Sequence, residues 1–222
     1  MPPYECPMII ACATVAEELR NLGVPPERLA TLEFGLHEDP PKLKINLQHA
    51  IDMVDGDCDI LLGYGLCSNA AVGLKGGGHR LAIPKSDDCI ALFLGSREAH
   101  LEALRDEPGT YYLTKGWVEA ADGALGELKR LIDRYGVEKA VRISRAIFAN
   151  YTRVVLINTG NYDMERYRDF ARSMAEFLEL GFEEVPGSNR LLLKMLEGSW
   201  DDEFVVVEPG GEVGPMAFER SG

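Results

Sequence analysis

The stretch PMIIACATVAEELRNLG, residues 7–23, joins a short apolar run to an amphipathic segment. Residues 8–11 predict a buried strand, and residues 14–22 carry apolar side chains at helical spacing. Thr14 followed three residues later by Glu17 indicates a helix N-cap with a capping box, and Gly23 indicates the end of the helix. The stretch therefore predicts a strand followed directly by a helix, the basic unit of a parallel sheet.

The same rhythm continues along the chain. Further strands are predicted in ATLEF (30–34), CDILLGYG (58–65), HRLAIP (79–84) and RVVLIN (153–158), with helical patterns between most of them. Strands that alternate with helices of 10 to 15 residues form right-handed parallel βαβ units. We predict an α/β fold with two Rossmann-like halves and parallel sheets, divided into residues 1–115 and residues 116–222. The second half begins with the bridging helices that join the two.

The composition restricts the classes of partner. The formal net charge is −13, from 36 acidic and 23 basic residues, whereas nucleic-acid binding needs clustered Lys and Arg. No apolar stretch reaches the roughly 20 residues of a membrane span, and the first ten residues lack the basic flank and apolar core of a signal peptide. We therefore expect no nucleic acid, no membrane association and a cytoplasmic location.

The chain has five cysteines, at positions 6, 12, 58, 67 and 89. Cytoplasmic thiols stay reduced, so an odd count here indicates metal binding, catalysis or simple burial rather than disulfides. There is no CxxC pair, which excludes a zinc-ribbon or thioredoxin-type motif. A site shared between these cysteines must be assembled by the fold.

Four soft metal ligands follow the first four predicted strands. Cys12 ends the first strand, His37 follows the second, Cys67 the third and Cys89 the fourth. Ligands of open parallel sheets bind outside the carboxyl ends of the strands, so we expect these four side chains to converge there. Three thiolates and an imidazole suit tetrahedral zinc, and an iron–sulfur centre or a corrinoid is also compatible with such ligands.

Simple burial is the alternative for single cysteines. Cys12 lies among apolar residues, and Cys89 falls in the first turn of a predicted helix, where a thiol can be either core or a stabilised thiolate. Cys6 and Cys58 precede strands, which places them at the opposite edge in structural roles.

The turn after the third strand holds three candidate cofactor-binding residues, Tyr64, Ser68 and Asn69. An aromatic side chain beside a glycine-rich turn can form the wall of a ligand pocket, although core packing is the alternative for Tyr64. Ser68 fits a turn residue better than a nucleophile, because the chain has no GxSxG motif. No catalytic residue is assigned.

Seven segments together resemble domain-of-unknown-function family 1638: IACATVAEEL, GLHEDPPKL, LLGYGLCSNAAVGLKG, IPKSDDCIALFLGS, PGTYYLTKGW, INTG and LLLKMLEGSWDDEFVVVEPG. The resemblance covers nearly the whole chain and implies a link to corrinoid-dependent methyl-transfer systems of anaerobic bacteria and archaea. The family's characteristic cysteine and histidine positions fall on Cys12, His37, Cys67 and Cys89. The family pattern has glycine where this chain has Ala13 and Ser68.

Three functions are compatible with these residues. The first is a metalloenzyme of one-carbon metabolism, a metal-dependent methyltransferase acting on a small thiol or on a methyl group carried by a corrinoid protein. The second is an accessory or sensor protein that holds a metal or cofactor without turnover. The third is a structural α/β domain with buried thiols.

Overall fold

The structure, a computed structural model, describes residues 7–120 and 131–219. The chain forms two compact units, one of Met1–Ala99 with Ser188–Gly222 and the other of His100–Gly187. The sequence pattern grouped Ser188–Gly222 with the second half, but the strand Phe204–Val207 in this segment pairs with the strand Leu81–Pro84 of the first unit. Cys6 and residues 121–130 of the predicted bridging segment lie outside the described residues.

The first unit contains a five-stranded sheet. Its strands are β1 (Met8–Cys12), β2 (Leu29–Leu32), β3 (Ile60–Gly63), β4 (Leu81–Pro84) and β8 (Phe204–Val207), in the order β2-β1-β3-β4-β8. The first four are parallel and β8 is antiparallel to β4. The predicted α/β, Rossmann-like class is confirmed, and the antiparallel edge strand β8 is the exception to the predicted parallel pairing.

Strands β1, β3 and β4 are buried along their whole length, because helices pack against the sheet. The helices of this unit are α1 (Ala13–Asn21), α2 (Pro40–Asp52), α3 (Ile90–Leu94) and α8 (Arg190–Leu196), with 3₁₀ turns at Pro26–Arg28 and Phe34–Glu38, whereas most of α4 (Arg97–Asp106) belongs to the second unit. Helix α2 begins where the Asp39 carboxylate accepts a hydrogen bond from the Lys42 amide, and its buried stripe is Leu43, Leu47 and Ile51.

Strands β1 and β3 approach each other closely at their carboxyl ends. Ala11 is the pairing partner of Gly63, and a Cβ atom added to Gly63 would lie 2.7 Å from the Ala11 Cβ and 3.0 Å from Val15 Cγ1. Only a residue without a side chain fits there. The strand order also reverses beside β1, which makes the β1–β3 boundary the topological switch point where ligands bind in such sheets.

The second unit contains a three-stranded parallel sheet. Its strands are β5 (Thr110–Leu113), β6 (Arg153–Asn158) and β7 (Gly181–Pro186), in the order β5-β6-β7, and its helices include α5 (Lys115–Ala120), α6 (Val137–Ile147) and α7 (Glu165–Leu178). Its core packs β5 and β6 side chains such as Leu113 and Leu156 against Ala171 of α7. Across residues 7–120 and 131–219, no helix is both long and apolar enough to cross a bilayer.

Candidate functional site

The four predicted ligands lie at the carboxyl ends of the strands of the first unit. Cys12 is the last residue of β1, and His37 lies in the 3₁₀ turn that follows β2. Cys67 lies four residues after β3, and Cys89 immediately precedes α3. Since β1 to β4 are parallel, all four segments leave the sheet at one edge.

Helix α1 begins one residue earlier than the sequence predicts. Cys12 occupies the N-cap position and Thr14 lies inside the helix, because the chain passes from β1 into α1 without an intervening turn. The predicted capping role of Thr14 is therefore wrong. Its hydroxyl instead lies 3.1 Å from the Cys12 sulfur, so it contributes a hydrogen bond to the site. Cys89 likewise occupies the N-cap position of α3 rather than its first turn.

The turn that carries Cys67 has an unusual backbone. Cys67, Ser68 and Asn69 have φ angles of 45°, 55° and 67°, three consecutive residues in the left-handed region. The Cys67 amide donates a hydrogen bond to the carbonyl of Asp87, at 3.0 Å. Gly65 approaches the same segment so closely that an added Cβ would lie 2.5 Å from the Ser86 carbonyl oxygen. The Cys67 turn is thus held against the segment that leads to Cys89.

His37 has a fixed orientation. Its Nδ1–H donates a hydrogen bond to the carbonyl oxygen of Phe34, at 2.9 Å, and its ring lies 6.0 Å from the Tyr64 ring with an interplanar angle of 22°. The other ring nitrogen, Nε2, is buried and makes no hydrogen bond of normal geometry to any described residue. Its polar neighbours are the side chains of Cys12 and Cys67.

The electrostatics of the site follow from this arrangement. Hydrogen bonding to Cys12, and then to Cys67, raises the pKa of His37 to about 10, although burial acts to lower it. Burial raises the pKa of the Cys12 thiol, but His37 and Thr14 outweigh that effect and bring the pKa below its ordinary value. Both shifts favour the charged forms, so the site tends toward an imidazolium–thiolate pair, and after loss of the His37 proton the same two side chains are a soft donor set.

Cys89 and Tyr64 complete the surroundings. Both side chains are buried, with 6% and 1% of their surface exposed. Burial raises the pKa of the Tyr64 hydroxyl, and Cys12, Cys67 and Cys89 raise it further, so all three cysteines lie within electrostatic range of it. The structure thus brings Cys12, His37 and Cys67 together and places Cys89 near Tyr64.

These side chains are not arranged as a finished metal centre. Within residues 7–120 and 131–219, no group of three or more His, Cys, Asp or Glu side chains has the geometry to hold a metal ion as it stands. Binding a metal would require the donor side chains to close around it. The donor chemistry of the three side chains, with Nε2 of His37 beside Cys12 and Cys67, nevertheless fits a soft cation.

The predicted cofactor-binding residues separate into two kinds. Tyr64 is buried beside His37, whereas Ser68 and Asn69 are exposed on the turn. The sequence interpretation missed Ser86, whose hydroxyl is fully buried and has no hydrogen-bond partner among the described residues. A serine two residues beyond the end of a buried strand was the available signal. Cys58 precedes β3, at the opposite edge as predicted.

The three cysteines of the site are buried. A cavity of about 300 Å³ does occur in this unit, but it is lined by Lys85, Ser96, Arg97, Glu98, Leu191, Asp202 and Glu203. Cys12, Cys67 and Cys89 are buried, and His37 is half-buried. His37 is therefore the most exposed of the four predicted ligands.

Comparisons with known proteins give one match. The model of a family described as "Protein of unknown function (DUF1638)" matches residues 31–196, more than half of the chain. His37, Cys67 and Cys89 lie inside the matched region and Cys12 lies before it. Neither the curated proteins nor the solved structures contain a match to this chain.

Proposed function

Since the chain belongs to the DUF1638 family, whose description names no activity, we propose its function from the site itself. We propose that the protein binds a soft metal ion through Cys12, His37 and Cys67, with Cys89 as the candidate fourth donor. Zinc is the preferred ion, and an iron–sulfur centre or a corrinoid is the alternative.

One observation carries this proposal, the state of the His37 ring. Because a carbonyl oxygen can only accept, the hydrogen bond to Phe34 keeps the proton on Nδ1. The Nε2 lone pair is then the one that becomes available, and this nitrogen is buried between two thiols. Metal-ligating histidines characteristically donate their other ring N–H to a carbonyl or carboxylate in this way. A soft cation would take the place of the Nε2 proton.

We further propose a role in methyl-group or other one-carbon transfer to or from a small thiol, with a corrinoid protein as the partner and the cytoplasm as the location. When bound, the metal would hold a substrate thiol as its thiolate. The chain's own contributions are the sulfur donors of Cys12 and Cys67, the orientation of His37 by Phe34, and a buried environment that excludes water. The corrinoid partner rests on the family resemblance alone.

The proposal is tested by the metal content of protein purified without oxygen. We expect about one metal ion per chain in the wild type, and loss of most of it in Cys67→Ser and His37→Ala, because each removes a donor. Cys58→Ser is the matched control, since Cys58 is also buried but lies at the opposite edge. Equal metal content in Cys67→Ser and Cys58→Ser, with folding intact, would contradict the proposal.

A second function, an accessory protein that holds a metal without turnover, is favoured by one observation. The three sulfur atoms are buried and do not line the 300 Å³ cavity of the unit. A closed set of four protein donors leaves no position for a substrate. Cobalt-substituted protein distinguishes the two functions: its spectrum changes on adding a thiol if a position is open, and stays constant if the donor set is closed.

A further inference from the structure

Tyr64 has a buried hydroxyl with no hydrogen-bond partner among the described residues. It directly follows β3, only 1% of its surface is exposed, and it is among the largest fully buried side chains of the described residues. Its hydroxyl makes no hydrogen bond to any side chain, backbone group or sulfur atom in residues 7–120 and 131–219. A buried hydroxyl in this state carries a free-energy penalty that folding does not offset locally.

The surroundings of this hydroxyl belong to the candidate metal site. The phenol ring stacks on His37, and the hydroxyl lies within electrostatic range of Cys12, Cys67 and Cys89. A phenol carries its proton at neutral pH, so the group can donate. None of the three sulfur atoms accepts that proton, so the acceptor is not supplied by residues 7–120 or 131–219.

We infer that the Tyr64 hydroxyl donates a hydrogen bond to a small anionic ligand that enters the site beside the metal, its acceptor atom being a thiolate sulfur or a carboxylate oxygen. The inference rests on the proposed function. The burial of Tyr64 and the cysteines limits the ligand to a small molecule. Tyr64 is thus a positioning residue that selects for a hydrogen-bond acceptor, a role that core packing alone would not require.

The test is the Tyr64→Phe variant of the cobalt-substituted protein, titrated separately with 2-mercaptoethanol and with acetate. We expect the metal content to be unchanged and the Kd of one probe, read from the cobalt spectrum, to rise about tenfold, because a single hydrogen bond to a charged acceptor is lost. The probe that responds identifies the acceptor as sulfur or oxygen.

Tyr167→Phe is the matched control. It makes the same chemical change in the second unit, where the Tyr167 hydroxyl already donates to Glu119 at 2.7 Å. We expect Tyr167→Phe to leave both Kd values unchanged and to lower the Tm. Tyr64→Phe in the metal-free protein should not lower the Tm, since no hydrogen bond is lost there.

Two results would overturn the inference while leaving the proposed function standing. The first is that the Tyr64→Phe variant retains its metal and neither Kd changes. Wild-type protein that holds metal but binds neither probe counts as the same result. The second is a fall in the Tm of metal-free Tyr64→Phe by more than about 4 °C, which would mean that the hydroxyl has a structural partner. Wild-type protein without bound metal would instead overturn the proposed function, and the inference with it.

Discussion

The carboxyl edges of the two parallel sheets differ in how their polar groups are used. In the second unit the Asn158 amide donates to Glu184 at 3.0 Å, its oxygen accepts from the Gly160 amide at 2.9 Å, and Arg168 binds Glu184 through two contacts. In the first unit His37, Tyr64 and Ser86 each have a buried polar atom without a normal hydrogen bond to a described residue. The carboxyl edge of the second unit thus carries a paired Asn158–Glu184–Arg168 cluster, whereas the buried polar groups around His37 in the first unit do not pair with one another.

A buried polar group without a partner costs about 1–3 kcal/mol, and a ligand bound beside His37, Tyr64 and Ser86 would reduce that cost. Paired groups such as Arg168 and Glu184 need nothing further. The contrast predicts that changes at the first edge alter ligand binding, and that changes at the second alter only stability.

The largest expected effect comes from Gly65→Ala, at the carboxyl edge of the first unit. The new Cβ would lie 2.5 Å from the Ser86 carbonyl oxygen, and a backbone atom cannot move aside as a flexible side chain can. We expect the free energy of unfolding to fall by about 3 kcal/mol and the metal content to fall with it. Chemical denaturation and elemental analysis measure the two effects.

Gly181→Ala in the second unit is the control for this prediction. An added Cβ there meets nothing closer than 3.5 Å, so the variant should be close to neutral. If Gly65→Ala were as stable as Gly181→Ala, the close contact between the Cys67 turn and the Ser86 segment would be disproved.

A moderate effect is expected from Glu184→Gln, which removes the ion pair between Glu184 and Arg168 in the second unit. Hydrogen bonding by Arg168, with a contribution from Asn158, holds the pKa of Glu184 below its usual value. A depressed folded pKa gives stability that is present above the unfolded value and is lost as the pH falls through the folded value. The variant should therefore have a lower Tm than the wild type at pH 7, and the difference should vanish in acid.

Thermal unfolding measured from pH 7 down to about pH 3 tests this prediction, because that window spans the ordinary carboxyl pKa. Metal binding at pH 7 should be unaffected by Glu184→Gln, since the residue belongs to the other unit. A Tm difference that stayed constant down to the lowest pH would show that the pair is not the source of the stability.

The smallest expected effect comes from Ser68→Gly. Ser68 has a φ of 55°, a conformation that is strained for a residue with a side chain, and its side chain is exposed. Glycine relieves the strain but has more freedom in the unfolded chain, so we expect a net gain of about 0.5 kcal/mol in the free energy of unfolding. Denaturant titration measures it.

Ser173→Gly is the control, because Ser173 is exposed on helix α7. Glycine is a poorer helix former than serine, so this variant should lose about 0.5 kcal/mol. Changes of the same sign in both variants would mean that the left-handed turn carries no strain.

Much of the fold could be predicted from the sequence. The first four strands were predicted near their observed positions, because apolar runs such as MIIA and ILLG bounded by glycine or polar residues have few other solutions. The start of α1 was missed by one residue, since Cys12 itself takes the N-cap position and Thr14 contacts its sulfur. The return of β8 to the first sheet could not be read from local pattern, because antiparallel and parallel edge strands have the same alternation of side chains.

The candidate site was partly predictable. Parallel strands place their carboxyl ends at one edge, so Cys12, His37, Cys67 and Cys89 could be assigned to that edge without coordinates. Which of them approach one another depends on the loops, and loop paths are set by tertiary contacts such as the hydrogen bond from the Cys67 amide to Asp87. The metal itself stays a prediction.

The sequence by itself determined the α/β class, the sheet edge that carries the thiols and the family, because periodicity, residue order and short motifs are properties of the linear chain. Only the tertiary structure decided that His37 Nε2 lies beside Cys12 and Cys67, and that the buried Tyr64 hydroxyl has no hydrogen-bond partner within residues 7–120 and 131–219. Hydrogen-bond satisfaction depends on every atom within a few ångströms, and those atoms come from segments far apart in the chain.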